Sequence, residues 1–153
     1  MESLLGAHLA VEEAGLVAVD FYDGCTLYDF DQHHMMLCDL DEYRHGPFTL
    51  EADRLPGSTR YMAPEEFVRG SLIDIRTTVF NLGRALRLLL DADDEETHWR
   101  GTPAQLTVIE GATAPEPEQR PPSVHSLNDA WLAAAGATDD VTGTVHHEHQ
   151  AAR

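Results

Sequence analysis

Gly57-Ser58-Thr59-Arg60-Tyr61-Met62-Ala63-Pro64-Glu65-Glu66-Phe67 is the stretch on which the reading of this chain turns. It follows the turn signal Leu55-Pro56-Gly57. Pro64 opens a short helix, because its missing N–H costs nothing at a first helical position. A long apolar segment comes almost at once. Leu72, Ile75, Val79, Leu82, Leu86 and Leu89 recur at three and four residues, and Ile73, Phe80, Leu88 and Leu90 widen the apolar face. Only Arg76, Arg84, Arg87 and Asp91 mark a polar edge. A helix apolar on most of its sides is a core helix, so residues 72–90 are expected to run through the middle of the domain.

Upstream, residues 3–14 have helical spacing, and Gly15 is a natural stop. Residues 16–20 are a short β-prone run that ends in the carboxylate of Asp20. Residues 26–30 and 35–38 are strand candidates joined by Asp31-Gln32-His33-His34, which predicts a hairpin with a four-residue loop. The second strand leads into Asp39-Leu40-Asp41, and residues 42–55 are irregular.

Downstream, residues 91–96 form an acidic segment expected to be exposed. Thr102-Pro103 caps and opens a helix to about residue 110. Prolines crowd residues 114–122, which reads as loop, and Ser123 caps a last helix that Gly136 ends. The expected class is mainly α with a small β-hairpin. Residues 1–135 make one domain and residues 136–153 a flexible polar tail. His146, His147 and His149 fall in that tail, where a solvated segment is the expectation and a metal site the alternative.

The chain has 153 residues and a 42% apolar composition, enough for one real core. It has no run of 18 apolar residues and no signal peptide, so a cytoplasmic location is expected. A formal net charge of −17 repels phosphate backbones and anionic lipid, which argues against nucleic-acid and membrane partners. Cys25 and Cys38 are too few for a disulfide framework and lack metal-ligand spacing, so reduced, buried thiols are expected.

The order hairpin, irregular segment, Ala63-Pro64-Glu65, apolar helix, then Arg120-Pro121 before a last helix resembles the C-lobe of a bacterial Ser/Thr protein kinase of the eukaryotic-like type. The resemblance covers about residues 4–135 and is strongest over residues 57–65. It implies a protein-kinase-like C-terminal lobe around one buried central helix. It also implies Mg²⁺ and ATP as cofactors and transfer of a phosphoryl group to a hydroxyl, most naturally of a protein Ser or Thr. Asp20 falls where the family has its catalytic aspartate, with Ser58 as the hydroxyl that hydrogen-bonds it. Asp39, nineteen residues later, falls where the metal-binding aspartate begins Asp-Phe-Gly, here Asp39-Leu40-Asp41, with Asp41, in place of the glycine, a candidate extra metal ligand. Glu65 and Arg120 match the family's structural ion pair.

The sequence departs from the family at several positions. Cys25 stands in the nucleotide-site position of the metal-binding Asn, and a thiol is a poor Mg²⁺ ligand. Tyr22 replaces a lysine and Thr78 an aspartate that braces the catalytic loop. The Gly-rich loop, strand lysine and partner glutamate of the N-lobe have no counterpart, so the chain alone is expected to be inactive or nearly so. Partners would then be a protein substrate or an N-lobe supplied from elsewhere. Apolar residues such as Leu27, Met35 and Met36 would lie open or be covered by self-association. The alternatives are a pseudokinase that uses the scaffold to bind a protein, and a small-molecule kinase of aminoglycoside or choline type. Ala63-Pro64-Glu65 argues against the latter.

Overall fold

The structure, a computed structural model, describes residues 1–136. Apart from Gly136, the expected tail, with His146, His147 and His149, lies outside the described residues. Four helices carry the fold: α1 (Glu2–Glu13), α2 (Ile75–Leu89), α3 (Pro103–Ala112) and α4 (Val124–Gly136). Three antiparallel strand pairs decorate them. β2 (Thr26–Asp29) pairs with β3 (His34–Leu37) as the expected hairpin. β1 (Leu16–Val17) pairs with β4 (Arg44–His45), and β5 (Phe48–Thr49) with β6 (Leu72–Ile73). The class is therefore mainly α with small β pairs, as the spacing predicts.

Two readings are corrected. The apolar helix does not begin at Leu72. Leu72 and Ile73 form β6, and α2 starts after Asp74, whose carboxylate accepts from the Arg76 N–H at 2.8 Å. Apolar spacing runs unbroken across this junction, but an N-cap aspartate ends the strand and starts the helix. The irregular segment, residues 42–55, holds β4 and β5, each two residues long and too short for a period-two pattern to register.

The helix α2 is about 22 Å long. It is buried on all sides from Thr77 through Gly83, while Arg84, Arg87 and the exposed Leu89 reach outward from its later turns. The main core gathers around its Val79, Leu82 and Leu86 and takes in Leu4 and Leu5 of α1, Ile109 of α3, and Leu127 and Trp131 of α4. Gly83 allows the approach of α3, since a Cβ there would meet the Ala112 Cβ at 2.9 Å. A second, smaller core holds Val17, Val19, Leu50, Leu55, Met62 and Ile73.

The chain threads between these two cores at residues 17–19. Val17 and Val19 face the small core, and Ala18 faces the main one. Alternate side chains of an extended segment point to opposite faces. All three are at most 2% exposed, so the backbone is clamped from both sides just before it emerges at Asp20.

The acidic segment after α2 is less exposed than expected. The Asp91 carboxylate is buried and pairs with Arg87, and Arg84 grips Glu96 through two hydrogen bonds of 3.0 and 2.5 Å. Arg84 Nε also donates to the Arg60 carbonyl at 2.9 Å, tying residues 57–67 to this loop.

Candidate functional site

Asp20 leaves the clamped segment with φ of 59°, and Asp39 leaves β3 with φ of 57°. Non-glycine residues seldom occupy this left-handed region, although aspartate tolerates it better than most. Such conformations persist only where the surroundings impose them, and they gather at functional sites. Between the two aspartates lies a tight turn, Asp23–Cys25, that feeds β2. The Cys38 N–H donates to the Cys25 carbonyl at 2.8 Å, which closes the hairpin base and brings the start of the 39–41 segment beside the 20–25 segment.

The electrostatics report the same proximity. The charges of Cys25, Asp39 and Asp20 all push the Tyr22 phenol upward. Burial, and then the charges of Asp39 and Asp20, push the Cys25 thiol upward. Both carboxylates thus act on one phenol and one thiol. The Cys25 Sγ donates toward the Asp20 carbonyl at 3.5 Å, so it is a neutral thiol that steadies the Asp20 backbone. It is fully buried as expected, whereas Cys38 is only half-buried.

The 57–67 segment abuts this site. Gly57 has φ of 144°, and a Cβ there would stand 3.5 Å from the Asp20 Cα. The backbone conformation requires glycine there. Ser58 is exposed in the turn that follows, where its carbonyl accepts from the Tyr61 N–H at 2.9 Å. No hydrogen bond joins the Ser58 hydroxyl to Asp20. Tyr61 is buried, and burial followed by the Asp23 charge pushes its phenol up.

Behind the site, Thr78 of α2 accepts a hydrogen bond from the Ala18 N–H at 3.0 Å. A hydroxyl there braces the backbone two residues before Asp20. Thr78→Val keeps the shape and leaves a buried N–H without an acceptor. The expected cost is about 1–3 kcal/mol in urea unfolding, together with weaker protection of the Ala18 amide in hydrogen exchange. Unchanged stability would mean that the brace carries nothing.

The Ala63-Pro64-Glu65 turn is fixed from below. Pro64–Phe67 form a 3₁₀ turn. Arg120 donates to Glu65 Oε1 at 2.6 Å and Oε2 at 2.9 Å, the bidentate pair expected from the sequence. Thr77 Oγ1 adds a bond to Glu65 Oε1 at 2.8 Å. Burial pushes the Glu65 carboxyl up, but the Arg120 and Thr77 hydrogen bonds outweigh it and hold the group below its ordinary value.

Two buried polar groups were not foreseen as such. Glu66 is 1% exposed, and its Oε2 accepts from the Ala63 N–H at 2.6 Å and from Asn81 Nδ2 at 2.8 Å. His8, fully buried in α1, sits between the Leu4 carbonyl at 2.9 Å and the Tyr43 hydroxyl at 3.0 Å.

Among the described residues, no group of three His, Cys, Asp or Glu side chains is placed to hold a metal ion by itself. Asp41 is exposed in the turn after Asp39. The carboxylates of Asp20 and Asp39 are hard donors of the type that bind Mg²⁺ in ones and twos, with phosphate and water completing the shell. No helix among the described residues is long and apolar enough to cross a membrane. No protein-family model matches the chain, and no curated protein matches it.

Proposed function

We propose that the face bearing Asp20 and Asp39 is the C-lobe half of a phosphotransfer site of the protein-kinase type. The observation that carries this reading is the convergence of the two aspartates. They lie nineteen residues apart in sequence, each has a left-handed backbone, and Cys25 links their segments, its Sγ on the Asp20 carbonyl at 3.5 Å and its carbonyl on the Cys38 N–H at 2.8 Å. The bidentate Arg120–Glu65 pair under the Ala63-Pro64-Glu65 turn supports it independently.

In this reading Asp20 would orient the acceptor hydroxyl and accept its proton, and Asp39 would be the residue to hold Mg²⁺. A bound Mg²⁺·ATP would supply the phosphoryl group and neutralise its charge. Asp41 would contribute at most through water, and Ser58 would reach Asp20 only after its turn rearranges. Tyr22 and Cys25 are both neutral at pH 7, so neither supplies the positive charge nor the metal ligand that the family has at those positions. The thiol of Cys25 serves the backbone instead.

That last observation favours a second reading, in which the same lobe binds a protein partner and no longer performs chemistry. Calorimetry with Mg²⁺·ATP separates the two. Micromolar binding that is lost in Asp39→Ala and in the absence of Mg²⁺ is the result expected for a working site. Absence of nucleotide binding by the wild-type chain would sink the phosphotransfer reading and leave the scaffold.

A further inference from the structure

The face of α1 that turns away from the core carries small residues. Gly6, Ala10 and Ala14 are exposed, and nothing lies within 4 Å of where a Gly6 Cβ would stand. Across from them runs β3 and its exit, with Met36 48% and Leu40 40% exposed. Between the two is a groove of about 750 Å³ that also reaches Met35 and Leu37. Its apolar edge continues over the hairpin, because Leu27 stands directly opposite Met36 and is 54% exposed. Contiguous exposed apolar surface of this kind marks an interaction site.

The shape suits a helix. A floor of glycine and alanine lets another helix backbone approach closely, and a methionine wall adapts to its side chains. The charge selects the kind of helix. Residues 1–43, which build the whole groove, hold ten of the 27 acidic residues and none of the ten basic ones. Glu2 and Glu13 stand at the two ends of α1, and Asp41 and Glu42 follow Leu40. A second copy of the same face would set these carboxylates against their own kind, within a pair of chains each carrying −17.

We infer that the α1–β3 groove docks a basic amphipathic helix from another polypeptide, with leucine-like residues on the floor and Lys or Arg over the acidic rim. The inference concerns a surface apart from the Asp20 and Asp39 carboxylates' chemistry and stands whether or not nucleotide binds.

The probe is a labelled helical peptide of about 18 residues, built of leucine and lysine with all leucines on one face. A shuffled peptide of the same composition has no such face. Fluorescence anisotropy with the full chain is expected to show at least tenfold tighter binding of the amphipathic peptide, weakening as salt rises. Ala10→Arg, which puts a bulky cation on the groove floor, should lower affinity at least tenfold. Met36→Glu adds a negative charge, so purely electrostatic capture would tighten while docking in the groove would weaken. Circular dichroism of both variants should match the wild type.

Equal binding of the shuffled peptide would overturn the inference, as would unchanged affinity in Ala10→Arg or tighter binding in Met36→Glu. Sedimentation showing a dimer that Ala10→Arg dissociates would assign the groove to a second copy and equally overturn it.

Discussion

Arg120→Met is expected to destabilise the chain by about 3–5 kcal/mol in urea unfolding. The Arg120 side chain is fully buried and that of Glu65 is 9% exposed. A guanidinium has five N–H donors, and here every one is used. Two go to the Glu65 carboxylate, and the others go to the carbonyls of Arg76 at 3.1 Å, Ala114 at 2.7 Å and Pro115 at 2.9 Å. The guanidinium also lies 4.8 Å from the centre of the Phe80 ring. One side chain therefore joins the 57–67 segment, the first turn of α2 and the proline-rich loop before α4. Methionine fills the space but removes both guanidinium bonds from a buried carboxylate, leaving it Thr77 as its side-chain donor, and takes one donor from each of three carbonyls. Arg120→Lys should recover little, because an ammonium offers three donors and no planar fork.

The cost lies in the orphaned charge more than in any intrinsic worth of the pair. The double variant Glu65→Leu with Arg120→Met is therefore expected to be more stable than Arg120→Met alone. A loss below about 1 kcal/mol for the single variant would mean that the pair behaves as a surface ion pair. The Ala63-Pro64-Glu65 turn would then have to be held by something else.

How far these features were legible differs by residue, for physical reasons. The Glu65–Arg120 pair was readable because motif register named both partners across 55 residues of sequence. The helix α2 was readable from periodicity, but its start was not. Leu72 and Ile73 continue the apolar rhythm, and only the isolated carboxylate of Asp74 interrupts it. β4, β5 and β6 depend on partners distant in sequence, and two residues cannot display a period. Asp20 and Asp39 were singled out by the motif register of the resemblance. Their left-handed backbones were not, because that conformation is imposed by the two-core clamp and the hairpin base. Glu66 was invisible as a buried group. Beside Glu65 it reads as one more surface charge, and its partner Asn81 lies on another element. His8 did fall on the apolar side of α1, yet nothing local announced the Tyr43 hydroxyl that meets it.

Those two buried groups give the chain opposing responses to pH. Burial pushes Glu66 up to about 7, against the hydrogen bonds from Ala63 and Asn81. Burial lowers His8 to about 4, against the hydrogen bond to the Leu4 carbonyl. The folded chain thus holds a proton on Glu66 that the unfolded chain releases above about 4.5. The stability from this group is full below 4.5 and is lost as pH rises through 7. The folded chain refuses a proton on His8 that the unfolded chain accepts below about 6.5. That stability is full above 6.5 and is lost as pH falls through 4. Each effect is of order 3 kcal/mol, and the slopes are opposite over the shared window. The wild type should therefore look nearly indifferent to these two groups between pH 4.5 and 6.5.

Single substitutions should unmask them. Glu66→Gln keeps an oxygen to accept from Ala63 and Asn81 and removes the charge. It should be more stable than the wild type by about 3 kcal/mol at pH 8, with the difference shrinking toward zero near pH 4.5. His8→Gln retains one donor and one acceptor, and its difference from the wild type should instead grow in its favour as pH falls from 6.5 to 4. Urea unfolding of the three proteins across pH 4 to 8, compared as differences, cancels the carboxylates they share. A Glu66→Gln difference that stays constant with pH would show that Glu66 does not titrate in this range. Its hydrogen bonds to Ala63 and Asn81 would then hold a permanent buried charge, with no neutral carboxyl in the folded chain.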